Sequence, residues 1–126
     1  FMAVTPSCRN EAFNVTNGDV VSWRALWPRI AAFFGLSAGE IRPFNMHAWA
    51  RDKQPVWDKI ARKYGLGPAS LDQVADWAFA DFHWAQGYDV VSSPEKLRRA
   101  GFGETLDSGE TLLSHLKRYR EAKILP

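Results

Sequence analysis

Ala12-Phe13-Asn14-Val15-Thr16 runs into the pair Asn17-Gly18 and then Asp19, with Ser22-Trp23 close behind. The first five residues mix aromatic and β-branched side chains with small polar ones, the composition of a short strand. Asn-Gly is a turn pair, because both residues tolerate positive φ. Ser22 is a good N-cap, and Trp23, Leu26, Trp27, Ile30, Phe33 and Phe34 behind it recur at helical spacing. Pro28 lies beyond the first turn, so a bend is expected there, or a helix beginning near Trp27. Gly35-Leu36 closes the segment as a C-cap glycine with an apolar follower. Strand, turn and helix thus form one unit over residues 12–36. A lone strand is not stable by itself, so the strand at Phe13 is expected to join a sheet supplied by other sequence.

Outward from this unit the chain reads mostly as helix. Upstream, Phe1-Met2-Ala3-Val4 is apolar and uncapped and reads as the tail of an element whose beginning is missing. Downstream, Ser37 to Pro43 is a connection, with Glu40-Ile41-Arg42 a short extended piece, and Phe44 to Ala50 is a weaker helix. Pro55 suits the first turn of a helix whose stripe is Val56, Trp57, Ile60, Ala61 and Tyr64, ended by Gly65-Leu66. Ser70 and Gln73 form a capping-box pair. Behind them, Leu71, Val74, Trp77, Ala78, Phe79, Phe82, Trp84 and Ala85 cover most of a helix circumference, so this helix should be wrapped by neighbours or face a cavity. Tyr88-Asp89-Val90-Val91 suits a strand, and Ser93-Pro94-Glu95 starts a brief helix that Gly101 stops. Asp107 and Glu110 open a last helix with Leu112, Leu113, Leu116 and Tyr119 inward. The expected class is α+β, mostly helical, with about five helices and two or three short strands. Residues 1–126 form a single portion, with 44–126 a helical region beside the 12–36 unit.

Composition narrows the function classes. A length of 126 residues suits one domain, and 46% hydrophobic with 24% charged residues is ordinary for a folded chain rather than a disordered one. The net charge of +2 is small, and the one basic run, Lys117-Arg118-Tyr119-Arg120, lies where cations favour a helix C-terminus, which argues against a nucleic-acid partner. The single cysteine, Cys8, excludes an internal disulfide and a cysteine zinc site, and fits a cytoplasmic setting. No apolar run reaches the length of a membrane span, and no signal peptide is evident.

The chemistry-bearing residues are sparse. The nine glycines are scattered at turns and helix ends, and none forms a Gly-rich phosphate loop after a strand. His47, His83 and His115 have no metal-type neighbour at i+4 and read as structural or surface histidines. No serine sits in a nucleophile-elbow pattern. Asp81, set among aromatics, needs a partner, and a cap or an ion pair accounts for it better than catalysis. Trp77-Ala78-Phe79-Ala80-Asp81-Phe82 remains open on the residues alone: plain core, or the wall of an apolar ligand pocket.

Several segments in order resemble a known family. They are Ala12 through Asp19, Ser22-Trp23, Leu26-Trp27-Pro28, Ile30 through Gly35, Pro55-Val56-Trp57 with Ile60, Leu71-Asp72, Trp77 with Phe79-Ala80-Asp81, Lys96 with Gly101-Phe102, and Ile124-Leu125-Pro126. Together they resemble the C-terminal part of the progesterone 5β-reductase/iridoid synthase-like enzymes. These are atypical extended short-chain dehydrogenases, with bacterial relatives labelled NAD-dependent epimerase/dehydratase or aldehyde reductase. The resemblance implies a two-part enzyme, in which an N-terminal Rossmann domain binds NADP(H) and carries the catalytic Tyr and Lys. The C-terminal part closes over a small apolar enone or carbonyl substrate. Tyr64, Tyr88 and Tyr119 accordingly take no catalytic role, and no cofactor is expected on this chain alone. Phe79 is the counterpart of the family's bulky pocket residue, with Trp77 and Phe82 as companions. The partners implied are the substrate, the Rossmann domain this chain lacks, and a second copy if the chain pairs with itself. The competing reading is a non-enzymatic helical interaction module with aromatic faces.

Overall fold

A computed structural model describes all of residues 1–126. It holds six α-helices: α1 Trp23–Phe33, α2 Met46–Ala50, α3 Gln54–Tyr64, α4 Trp77–Trp84, α5 Glu95–Arg99 and α6 Ser108–Glu121. Single 3-10 turns occur at Met2–Val4, Pro6–Cys8 and Leu71–Gln73, and there is no strand. The α+β expectation is therefore overturned; the chain is all-α. Residues 12–16, 40–42 and 88–91, the three expected strands, make no backbone-to-backbone hydrogen bond at all. A strand exists only where a second strand supplies the ladder, and here none comes alongside. Their side chains stay bare as well, with Val15 62%, Ile41 84% and Val90 73% exposed.

The helices start where side-chain oxygens meet free amides. Ser22 caps α1 by accepting from Ala25 N at 3.3 Å, so the helix begins at Trp23 and runs through Pro28 rather than starting near Trp27. Asn45 caps α2, Asp76 caps α4 and Asp107 caps α6, with oxygen-to-amide distances of 2.6, 2.9 and 2.7 Å. Asp76 also breaks the long helix expected behind Ser70. The capping pair's Gln73 reaches back to Ala69 N and Ser70 N, but the turn it stabilises ends within three residues, and α4 starts afresh at Trp77. The Glu110 side chain does not return to its own cap; it pairs with Arg29 of α1 at 2.6 Å, tying α6 to α1.

Packing is pairwise. α2 lies on α4 and α1 on α6. The Trp57 indole of α3 is only 6% exposed and donates to Pro68 O at 3.1 Å, holding the loop after α3. Leu112, Leu113 and Leu116 of α6 are partly buried as expected, whereas Tyr119 is 47% exposed. The segment around Gly18 is pinned against the α5–α6 connection. Leu106 N donates to Asn17 O at 2.8 Å, Arg98 donates to Gly18 O at 3.1 Å, and the Asp19 carboxylate accepts from both Ser108 N and Ser108 Oγ. Gly18 adopts φ +89°, and a Cβ there would sit 2.8 Å from Thr105 Cγ2, so only glycine fits.

No single core forms. Leu26, Ala50, Trp57 and Leu97 are each the one buried side chain of their helix. The solvent-accessible surface is 9885 Å² for 14.3 kDa, where a compact monomer of that mass exposes about 6,800 Å². The difference, about 3,000 Å², is more than one partner loses in most obligate interfaces, about 1,000–2,500 Å² a side.

Candidate functional site

α4 carries aromatic side chains on every side and uses them differently. On one side it meets α2. The Asp81 carboxylate accepts from Met46 N at 2.7 Å and His47 N at 2.9 Å, so it caps the start of a neighbouring helix. That is the structural role the sequence favoured for Asp81, and both its oxygens are occupied. Beside it, the Trp77 ring packs against Trp49 at 6.4 Å, and its Nε1 is buried without an acceptor. At the far end Trp84 sets its edge against Trp23 and Trp27 of α1, at 5.5 and 5.8 Å.

The remaining face is open. Phe79 is 58% and Phe82 64% exposed, and the His83 ring lies between them, at 4.4 Å from Phe79 and 5.6 Å from Phe82. The structure thus brings Phe79 and Phe82 together through His83 and directs Trp77 to the α2 side. Chemically this face can offer apolar area and one imidazole. No three His, Cys, Asp or Glu side chains converge anywhere to hold a metal.

A second feature lies away from α4. An open groove of about 630 Å³ runs between the end of α1, the end of α3 and the turn after α6, lined among others by Phe34, Ile60, Tyr64, Lys63, Arg120 and Lys123. Sequence reasoning assigned no role there. Of the basic run Lys117–Arg120, Arg120 is the residue that lines it.

Three exposed carboxylates are held below their ordinary range. Lys96, by hydrogen bond and charge, lowers Glu11; the Ser108 hydroxyl and amide lower Asp19; the Lys53 ammonium lowers Asp52. The first two fasten the N-terminal segment to α5 and α6, a structural use of charge rather than a catalytic one.

No family model matches the chain. Individual relatives do. A short chain dehydrogenase of Penicillium aethiopicum is 33% identical over the whole chain, which covers 37% of that protein. An (S)-8-oxocitronellyl enol synthase of Camptotheca acuminata is 36% identical over 98% of the chain and 33% of its own length. One from Nepeta racemosa is 35% identical, again over 98% of the chain and 32% of its length. Over nearly its whole length the chain is similar to one part of iridoid synthase-like enzymes and of a short chain dehydrogenase. The resemblance drawn from the ordered segments is thereby shown. The chain spans about a third of the length of the relatives it matches.

No positive-φ glycine of this third opens directly into a helix. Of the four positive-φ glycines, Gly35, Gly65 and Gly101 follow the C-terminal ends of α1, α3 and α5, and Gly18, four residues ahead of the Ser22 cap of α1, is packed against Thr105 and Arg98. A pyrophosphate is held by a glycine turn at a helix N-terminus, where amides and dipole attract the anion; a C-terminal end repels it. No strand leads into any of these helices.

Proposed function

We propose that this chain is the C-terminal, substrate-side part of an NADP(H)-dependent reductase of enones, aldehydes or related carbonyls, and that it carries no reacting group. α4 presents Phe79 and Phe82 to the apolar body of the substrate, with Trp77 supporting them from the α2 side. The nicotinamide that supplies hydride, and the groups that polarise the carbonyl, belong to a separate nucleotide-binding part. The single observation that carries this reading is the bare α4 face. It is aromatic, set on a helix fixed at both ends, in a chain aligned end to end with one third of several enol synthases. Apolar pockets are built from such faces, closed by a second body. The excess surface, the unpaired segments at 12–16 and 88–91 and the exposed Trp23 and Trp27 are the area that body would cover.

Two measurements test the proposal. The 126-residue chain alone should not bind NADPH in equilibrium dialysis; micromolar binding would overturn the division of labour. In the enzyme joined to its nucleotide-binding part, Phe79→Ala should raise KM for an apolar enone about tenfold, equivalent to about 1.4 kcal/mol, with kcat changed far less. An unchanged KM would remove α4 from the pocket.

A further inference from the structure

The open face of α4 is made by Phe79, Phe82 and His83, residues at i, i+3 and i+4 that share one side of a helix. Two ionisable side chains lie on α4, and only one has a task in the fold. Asp81 commits both oxygens to Met46 N and His47 N of α2. His83 is exposed, and its ring meets the two phenyl rings, at 85° to Phe79 and 70° to Phe82. None of the ion pairs includes it. The polar groups at the start of the helix are directed elsewhere: Asp76 caps α4 itself, and Trp77 Nε1 is buried on the α2 side. Edge-to-face packing thus braces the imidazole from two sides while neither of its nitrogens is used. Of the three side chains on this face, His83 alone can hydrogen-bond. An apolar pocket wall that carries a single polar group uses it to fix which way round the ligand lies. A neutral imidazole has one N–H and one bare nitrogen. A hydroxyl suits either, since it accepts from the first or donates to the second, whereas a carbonyl oxygen suits the N–H alone.

We propose that His83 is a specificity residue: it hydrogen-bonds a hydroxyl on the apolar body of the substrate, away from the carbon that receives hydride, an inference that rests on the reading of α4 as a pocket wall. The preferred substrates are then hydroxylated enals or enones rather than plain hydrocarbon ones. The probes are straight-chain α,β-unsaturated aldehydes of eight, ten and twelve carbons, each with and without a terminal hydroxyl, reduced by the enzyme joined to its nucleotide-binding part. At one chain length or more the hydroxyl should lower KM about fivefold, the value of one neutral hydrogen bond. Without a partner the same hydroxyl loses its water on entering an apolar pocket and raises KM. His83→Phe keeps a ring on the face and removes both nitrogens, so the preference should reverse. His83→Gln, which can also donate and accept, should retain part of it. A histidine that served only as packing would leave the ratio of the two KM values unchanged in His83→Phe, and that result overturns the proposal. So does a hydroxyl that raises KM at every chain length in the unaltered enzyme. Phe79→Ala separates the two readings. If it raises KM for hydroxylated and plain aldehydes alike while both His83 variants keep the original ratio, the pocket stands and the hydroxyl contact alone is lost. If it leaves every KM unchanged, the pocket goes and the contact with it.

Discussion

α4 and α6 are both aromatic- or leucine-bearing helices with aspartate caps, yet they behave in opposite ways. In α6 the apolar residues Leu112, Leu113 and Leu116 share one side, and that side is the one that turns partly inward, while Ser114, His115, Lys117 and Arg118 face water. In α4 the apolar residues go all round, and the chain has too little structure to surround them. Trp77 and Trp84 find partners, and Phe79 and Phe82 are left in solvent. A helix with one stripe can be satisfied by one neighbour; a helix with none requires several. The difference teaches that α6 belongs to the framework of this chain, whereas the Phe79 and Phe82 face of α4 has no neighbour within it.

The sharpest way to probe that contrast is to delete aromatic rings from each kind of place. Trp57, buried and hydrogen-bonded, belongs with the framework, and Trp57→Ala should cost about 3–5 kcal/mol in urea unfolding. Phe82→Ala on the open face of α4 should change stability by no more than about 0.5 kcal/mol. Comparable losses at the two positions would erase the distinction between framework and presented surface.

A smaller effect separates the two helices' caps. Asp81 serves two amides of α2 across the packed pair, so Asp81→Ala should cost about 2 kcal/mol and loosen α4 from α2, visible as increased exchange at Met46 N and His47 N. Asp107 serves only its own helix, and Asp107→Ala should cost about 1 kcal/mol. If Asp107 proved the costlier, α4 would be less firmly seated than its hydrogen bonds indicate.

Much of the helical framework was legible because its signals are local. Ser22, Gln73 and Asp107 are polar side chains that reach amides within three or four residues, and Gly65 takes the left-handed conformation that ends α3. The role of Asp81 was legible by exclusion, since an acid among aromatics has to be satisfied. The strands were misread because β-favouring composition at Phe13 and Val90 reports a side chain's suitability for a sheet and not the presence of a partner. Phe79 and Phe82 were singled out together with Trp77, but their separation onto different sides of α4 follows from where α2 packs, and that contact joins residues 34 and 35 positions apart. The groove stayed hidden for the same reason. Phe34, Ile60 and Arg120 meet only through tertiary structure, and Arg120 alone looked like an ordinary helix-end cation.

The weakest expected effect concerns the N-terminal segment, whose hold on the framework is polar where that of α4 is aromatic. Asp19 accepts from Ser108 N at 2.8 Å and from Ser108 Oγ at 2.7 Å, which lowers its carboxyl below the usual carboxylate range. A carboxyl depressed in the folded state stabilises above its unfolded value, about 3.9, and the contribution is lost as pH falls through the lower folded value. Glu11, lowered by Lys96, follows the same sign. Acidification below about pH 4 should therefore release residues 11–19 from α5 and α6 while the Trp84 contacts with Trp23 and Trp27 hold, because those rings carry no group that titrates in that range. Hydrogen exchange at Ser108 N and Leu106 N should rise first, while the Trp84 contacts with Trp23 and Trp27, followed by near-ultraviolet circular dichroism, persist. Asp19→Asn should reproduce the early release at neutral pH. Simultaneous loss of both signals on acidification would mean that the polar clasp and the aromatic helix belong to one cooperative unit, and the contrast drawn between them would fail.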